Sequence, residues 1–596
     1  MLLFVAEKAT IILSLGLLFF YMVSPNLIKK QETSTPVELN ESAKKLFQVI
    51  YSEQLKKEDI SDDVPRIKVS SLISKVAFFY EKIRNAVDYD EEHRLRKNAI
   101  ARILKRQVMI EGVIKEVSGE DLANHLLTEL IRGGYLPNNK IPEAKILEIS
   151  ALLDKYIYLK DKLSNKISTS LNLKTDVKKA KDLINEKNHL INWLLIMAAC
   201  EIEENLGPNK VKQVIVNNLF DVLSNNINLP SSLPYSEDLS IQIYLSIGRT
   251  YLKLDEDMLG FILFKYYNGD WLKINISNGL SLENQEKIDN LAEKIYELDV
   301  SVKKQLKHPL AKQLDRVTRV YSLYYSILAE TIESDPTKVY GELQKGEKNF
   351  VASLKKICHQ RYKKAKGRLW RAAIRSIIYI FLTKSIFVLA IELPAVQWFG
   401  ESVNALALAI NISFPAILLF LIVLATRTPA EANTDKIIGG IKEIALLGQE
   451  KKTAITLRKP AKRNWISSTI FGLLYFTSFI ISIYLIIKFL YLINFNWVSV
   501  IIFLFFLAFV SFFSIVVTKG VKDLIIVERR ENLFTFLVDL FYMPIILAGK
   551  WLSTSFSKIN IFIFVFDFIL EAPFKIIVEV ADDWTKYVRE RRENME

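Results

Sequence analysis

Apolar residues follow two different patterns along this chain. Between about residues 30 and 370 they recur every three or four positions, the spacing that lines one face of a helix. Strand-like alternation is scarce there, and turn formers gather at "RGGYLPNNKIPE" (132–143) and "NNINLPSSLPYSED" (225–238). With Pro309 interrupting an otherwise helical 282–332, these breaks predict three helical sub-bundles, near 40–131, 142–224 and 237–350. In the second half the periodicity gives way to unbroken apolar runs at 376–393, 403–425, 466–490 and 498–518. Each is close to the roughly 20 residues that cross a bilayer. The expected fold class is all-α: a polytopic α-helical membrane protein with a large α-helical cytoplasmic domain.

The two ends of the chain are less regular. Residues 9–23, "ATIILSLGLLFFYMV", reach span length only if 2–6 join them across Glu7-Lys8. No cationic cluster precedes them and no small-x-small site follows, so they read as an uncleaved anchor rather than a signal peptide. Near the other end, 533–552 contains Asp539, Pro544 and Lys550, and 559–578 carries Asp567 and Glu571 four apart on one helical face. Both are expected to be re-entrant or interface-lying helices. A sixth and seventh span paired as a hairpin would satisfy the charges as well. The expected division is an anchor at 1–28, a helical domain at 29–370, four spans as two hairpins at 371–520, and interfacial helices with a charged tail at 521–596.

Charge fixes a direction. The formal net charge is +13, and it is concentrated. Residues 355–375 hold nine Lys/Arg and no acid, and 427–463 hold nine Lys/Arg against four acids. Those two surpluses account for the whole excess, and both adjoin apolar runs. The pattern fits anionic lipid at a membrane surface rather than nucleic acid. The lipid collar is expected at Arg361, Lys363, Lys364, Lys366, Arg368, Arg371 and Arg375. The turns "PAVQWFGES" and "YLINFNW" carry no Lys or Arg, so the positive-inside rule puts both hairpin tips outside and the helical domain in the cytoplasm. Trp370 and Trp465 fall at the inner boundary of this scheme, and Trp398 and Trp497 at the outer one, where amphipathic rings prefer to sit.

Chemistry is hard to find by motif. There is no glycine-rich phosphate loop, H-E-x-x-H or G-x-S-x-G in the sequence. The five histidines are scattered, and the adjacent Cys358 and His359 would point about 100° apart on a helix. Two widely separated cysteines, Cys200 and Cys358, fit a reducing compartment. No cofactor or metal is expected, and nothing marks the chain as an enzyme. Polar groups inside the apolar runs are the stronger pointers, because each is costly in lipid. Lys384 and Glu392 lie two turns apart in the first run, about 12 Å along a helix. In the second, Asn404 and Asn411 share a face, and Pro415 leaves the Asn411 carbonyl without its helical donor. Lys384, Glu392, Asn404, Asn411 and Pro415 are therefore a candidate intramembrane polar seam. It would serve either an ion or polar solute, or simple interhelical hydrogen bonding with Lys384 snorkelling inward. The acids Asp539, Asp567 and Glu571 form a second, interfacial candidate set.

Residues 244–267 place Tyr244, Ile247, Gly248, Tyr251, Gly260 and Phe264 at spacings similar to a tetratricopeptide hairpin, but no second copy follows at a 34-residue period. They read as one helical hairpin within an irregular bundle. Together, "EIEENLGP", "IQIYLSIGRTYLKLD", "RSIIYIFLTKS", "LAINISFPAILLF" and "FDFILEAPFK" make the chain from about 190 onward resemble an uncharacterised family of multi-span membrane proteins from small-genome bacteria. The resemblance implies the architecture above and carries no activity. The function expected is a membrane scaffold or assembly protein at the inner (plasma) membrane of a bacterium, with unidentified protein partners and anionic lipid. The alternatives are a transporter or channel subunit using the seam, and a membrane-embedded lipid-modifying enzyme.

Overall fold

The computed structural model describes residues 38–56, 64–85, 91–109, 118–172, 177–207, 209–274, 281–448, 455–459, 464–527 and 532–558, with single positions between 577 and 592. The first helices are α1 (Glu41–Lys56), α2 (Ser71–Asn85), α3 (Glu92–Met109), α4 (Gly119–Arg132), α5 (Ala144–Asn172) and α6 (Val177–Leu206). Then come α7 (Lys210–Asn226), α8 (Leu239–Ile247), α9 (Glu256–Tyr267), α10 (Leu282–Leu306), α11 (Ala311–Ser334) and α12 (Pro336–Gln344). Their starts follow capping chemistry. The side chains of Ser118, Asn209, Asp255 and Ser281 each accept from the backbone N–H three residues on. Asp335 does the same ahead of Pro336, whose fixed φ suits the first helical position.

These helices form a head with two cores. One joins α3, α4, α5, α6, α9 and α10 through residues such as Leu104, Leu126, Leu159, Phe264, Trp271 and Ile288. The other gathers Leu46 and Ile50 of α1, Leu219 of α7, and Leu314, Ile327 and Leu328 of α11. Helix α8 lies between them: Ile241 and Leu245 enter the first core, and Ile243 and Ile247 the second. The three consecutive sub-bundles expected from the turn formers do not occur. Helix α1 leaves its sequence neighbours and packs on α7 and α11, because turn chemistry marks where the chain bends and not which apolar face it will meet. The expected helical hairpin is present with a change. Gly248 opens a π turn (Gly248–Leu252), and a Cβ there would press on Leu259 of α9, so that close approach is real. Gly260 instead faces Val302 and Met197.

The second half follows with α13 (Glu347–Phe387), α14 (Leu393–Trp398), α15 (Ala405–Ala425), α16 (Glu431–Ala445), α17 (Trp465–Leu492), α18 (Trp497–Lys522) and α19 (Leu533–Lys558). Among the described residues, five helical stretches are long and apolar enough to cross a membrane: Glu347–Trp398, Ala405–Ala425, Trp465–Leu492, Trp497–Lys522 and Phe536–Ser555. The N-terminal apolar segment and residues 559–576 lie outside the described residues.

Helix α13 has 41 residues, about 60 Å, and belongs to both halves. Its first part buries Phe350, Leu354, Cys358 and Tyr362 in the second head core, and its last part is the first apolar run. The segment after α15, expected to belong with the spans, folds back onto the head. Ile437, Ile441, Ile444 and Leu446 enter the second core, and β2 (Ile455–Thr456) pairs in parallel with β1 (Ile227–Asn228). That core also takes in Leu419 and Val423 of α15 and Val510 and Val521 of α18, so it runs without a break from the head into the apolar helices.

Asn433 fixes this junction. Fully enclosed on α16, it donates to the hydroxyl of Tyr362 (3.1 Å) and the carbonyl of Leu524 (2.9 Å), and accepts from the Ile526 N–H (2.8 Å). At the opposite end of the bundle the two hairpin turns meet. The rings of Phe399 and Trp497 stand edge to face at 4.9 Å, and Asn496 reaches the Ser402 carbonyl at 3.5 Å. The head, the return residues 426–448 and 455–459 and the exit of α18 therefore share one side, and the two turns share the other.

Candidate functional site

The first apolar run does not stay α-helical. Pro394 has no N–H to offer the carbonyl of Ala390, and the ladder widens into a π turn over Val388–Glu392 before α14 begins. On a uniform helix Lys384 and Glu392 would sit two turns apart. With the ladder reset, and the Glu392 side chain leaning back toward the helix start, Lys384 Nζ lies 3.9 Å from Glu392 Oε2. Both side chains are 0% exposed.

The carboxylate joins both hairpins. Its Oε1 accepts from Asn411 Nδ2 of α15 at 2.6 Å and from the Ser499 hydroxyl of α18 at 2.5 Å. The Lys384 ammonium stands over the Phe506 ring, 3.9 Å from its centroid, with Phe387 at 5.6 Å. Among the described residues, three polar atoms of this cluster have no hydrogen-bond partner: Lys384 Nζ, Glu392 Oε2 and Asn411 Oδ1. A cation–π contact of this kind stabilises by roughly 2 kcal/mol when desolvated, which offsets only part of the cost of burying two charges.

The head contains a buried carboxylate built differently. Glu201 accepts from the Tyr156 hydroxyl (2.7 Å), the Trp271 indole N–H (2.8 Å) and Lys155 (3.2 Å), so both of its oxygens are engaged. That is a satisfied structural group. One oxygen of Glu392 accepts two hydrogen bonds, whereas the other makes only a long ion pair, 3.9 Å, with the Lys384 ammonium.

The expected seam is therefore assembled in part. Lys384, Glu392 and Asn411 come together. Asn404 does not join them, because its side chain accepts from the Leu406 and Ala407 N–H groups and caps α15. Pro415 is buried inside α15, but Lys384 does not donate to the carbonyl it frees. Ser499 and Phe506 complete the cluster and had no signal of their own in the sequence. Ser499 reads as part of the cap begun by Asn496, and Phe506 as one aromatic in an apolar run.

The basic approach is also divided. Arg361 is half-buried, donates to the Ser326 hydroxyl at 2.7 Å and lies 3.6 Å from Glu330, so the head claims it. Lys363, Lys364, Lys366, Arg368, Arg371 and Arg375 are exposed along α13. Cys358 is buried while His359 turns to Glu431 at 3.3 Å, so the two form no nucleophile–base pair. Cys200 is enclosed, and burial pushes its thiol well above the usual range. Asp539 is exposed on α19, and Asp567 and Glu571 lie outside the described residues, so the three acids are not brought together among those described.

Helix α19, expected at the membrane surface, is docked between α17 and α18. A Cβ on Gly549 would collide with the carbonyl oxygen of Ala508, so only glycine allows this approach.

No family model matches the chain, and no curated protein or solved structure is similar to it.

Proposed function

We propose that the chain is an integral membrane scaffold that holds a helical interaction head against the cytoplasmic face of a bacterial inner membrane. The observation that carries this reading is the shared core. One apolar cluster runs from α1, α7 and α11 through α13 and α16 to α15 and α18, so the head is rigidly mounted and not tethered by a linker. Its direction rests on charge. The exposed cations of α13 lie on the head side of the first apolar run, and each such residue contributes about 1 kcal/mol against an anionic leaflet. The head then presents its surface to protein partners at a fixed height above the lipid. Photo-crosslinkers placed at exposed head positions such as Leu272 and Tyr296 test this in native membranes. The scaffold reading predicts discrete protein adducts from some of these positions. Adducts to lipid alone at all of them would overturn it.

The buried cluster favours a second reading, a transporter or channel subunit in which Lys384 and Glu392 line the route of an ion or polar solute. Lys384→Leu separates the two. Physiological function unchanged per folded molecule, with the variant's lower stability allowed for, removes the transport reading and leaves the scaffold reading untouched.

A further inference from the structure

We propose that Glu392, Asn411 and Ser499 form a monovalent-cation site in which the Lys384 ammonium is a tethered competitor for the same carboxylate. The proposal concerns binding and rests on the cluster that favours the second reading, without requiring that anything cross the membrane. The donors are hard oxygens of the kind that suit alkali cations and protonated amines. Glu392 Oε2 and Asn411 Oδ1 are buried on adjacent side chains without a hydrogen-bond partner among the described residues, and Ser499 Oγ adds a third oxygen beside Glu392 Oε1.

Charge sets the class of ligand. Among the described residues the cluster holds one carboxylate and contacts no other acid, so a single positive charge neutralises it. A divalent ion would leave a net charge in an apolar interior, which is strongly unfavourable. Lys384 supplies that single charge, but at 3.9 Å and without a hydrogen bond. It is held chiefly by the face of Phe506. An ammonium bound only to serve stability would be expected to make the short, hydrogen-bonded contacts seen at Glu201, where Lys155 lies 3.2 Å from the carboxylate. Because the site balances a single positive charge, a free cation can take this place only where the ammonium is withdrawn, and in the native chain Lys384 holds it.

Removing the tether exposes the site to test. In Lys384→Ala, methylammonium restores the missing tip of the side chain, and sodium or potassium can take the same place. The purified full chain, in detergent, is titrated with methylammonium, sodium, potassium or choline chloride at constant ionic strength while thermal unfolding is followed. The expected result is a saturable rise in Tm for Lys384→Ala with methylammonium and at least one alkali cation, and none with choline, which is too large. Wild type should show no such distinction, and Lys384→Ala/Glu392→Gln should lose it. Equal response of Lys384→Ala to choline and the small cations would overturn the proposal, as would a response surviving in the double variant. Lys384→Gln is carried through the same titration. If both variants fold only when extracted in a small cation, the proposal is supported. If they fold in none of the salts, it is contradicted. Success here with no ion flux in proteoliposomes would remove the transport reading alone.

Discussion

The hydroxyl of Ser478 donates to the carbonyl of Leu540 at 2.9 Å, and Leu540 is the residue whose helical donor is missing because Pro544 stands four positions later. The Ser482 hydroxyl shares its one proton between the Ser478 carbonyl of its own helix at 2.8 Å and the Phe541 carbonyl at 3.1 Å. Ser478 on α17 thus supplies the donor that Pro544 denies to α19, which lets a proline-containing helix dock within the apolar bundle. Ser478→Ala should destabilise the protein by about 0.6 kcal/mol and at most ~2. In a Pro544→Ala background, where the helix regains its own donor, the same substitution should cost less. A double-mutant cycle on unfolding in detergent reads the difference, and an identical cost in both backgrounds would show that Ser478 does not compensate for Pro544.

The Lys384–Glu392 pair makes a different prediction. Lys384→Met, assayed in choline salts, strands a buried carboxylate and should cost about 3–5 kcal/mol. Adding Glu392→Gln removes the charge while keeping an oxygen to accept from Asn411 and Ser499. The double variant should therefore recover most of the loss in chemical denaturation. A double variant no more stable than the single one would show that the charges are not what the site holds in balance.

Two adjacent glycines of α16 should behave oppositely. A Cβ on Gly440 would enter the Tyr324 ring, which is enclosed in the head core, whereas a Cβ on Gly439 would meet nothing within 4 Å. Gly440→Ala should cost roughly 1–3 kcal/mol by overpacking. Gly439→Ala should be neutral or stabilising by up to about 1 kcal/mol, because alanine is the better helix former. If both variants match wild type in thermal unfolding, the return segment does not pack on the head as described.

The head should also weaken in mild acid. Burial holds the imidazoles of His93 and His308 below the ordinary value of 6.5, the Asp238 carboxylate beside His308 only partly opposing this. Their depressed folded-state values mean that the unfolded chain takes up protons first as the pH falls. The stability they contribute is present above pH 6.5 and lost on descending through it. His93→Gln/His308→Gln should flatten the pH dependence of Tm between about pH 7 and 5, and an unchanged slope would contradict it.

The helical character and four of the five candidate spans were legible in the sequence, because 3.6-residue periodicity and long apolar runs are local signals. Long-range pairing was not. Nothing local says that α1 joins α7, or that the basic segment after α15 buries Ile437, Ile441 and Ile444 in the head. The cluster was half visible: a lysine and a glutamate in an apolar run announce themselves. Asn404 misled because a helix cap and a seam residue look alike when only the spacing is considered, although an asparagine directly before an apolar run is also a cap signature. Ser499 could be found only by seeing two hairpins side by side. The position of α19 depended on Ser478, Ser482 and Gly549, small residues whose part emerges only once a proline carbonyl and a close backbone are placed against them.

Sidedness is the claim on which the scaffold account stands, and cysteine labelling tests it directly. Cys200 and Cys358 are buried, so the native chain gives little background. Ser402→Cys stands at the hairpin turns, and Leu147→Cys on the head, where Leu147 is 64% exposed. In intact cells a membrane-impermeant maleimide should label Ser402→Cys and leave Leu147→Cys unmodified until the membrane is opened. Labelling of Leu147→Cys in intact cells, with Ser402→Cys protected, would contradict the account.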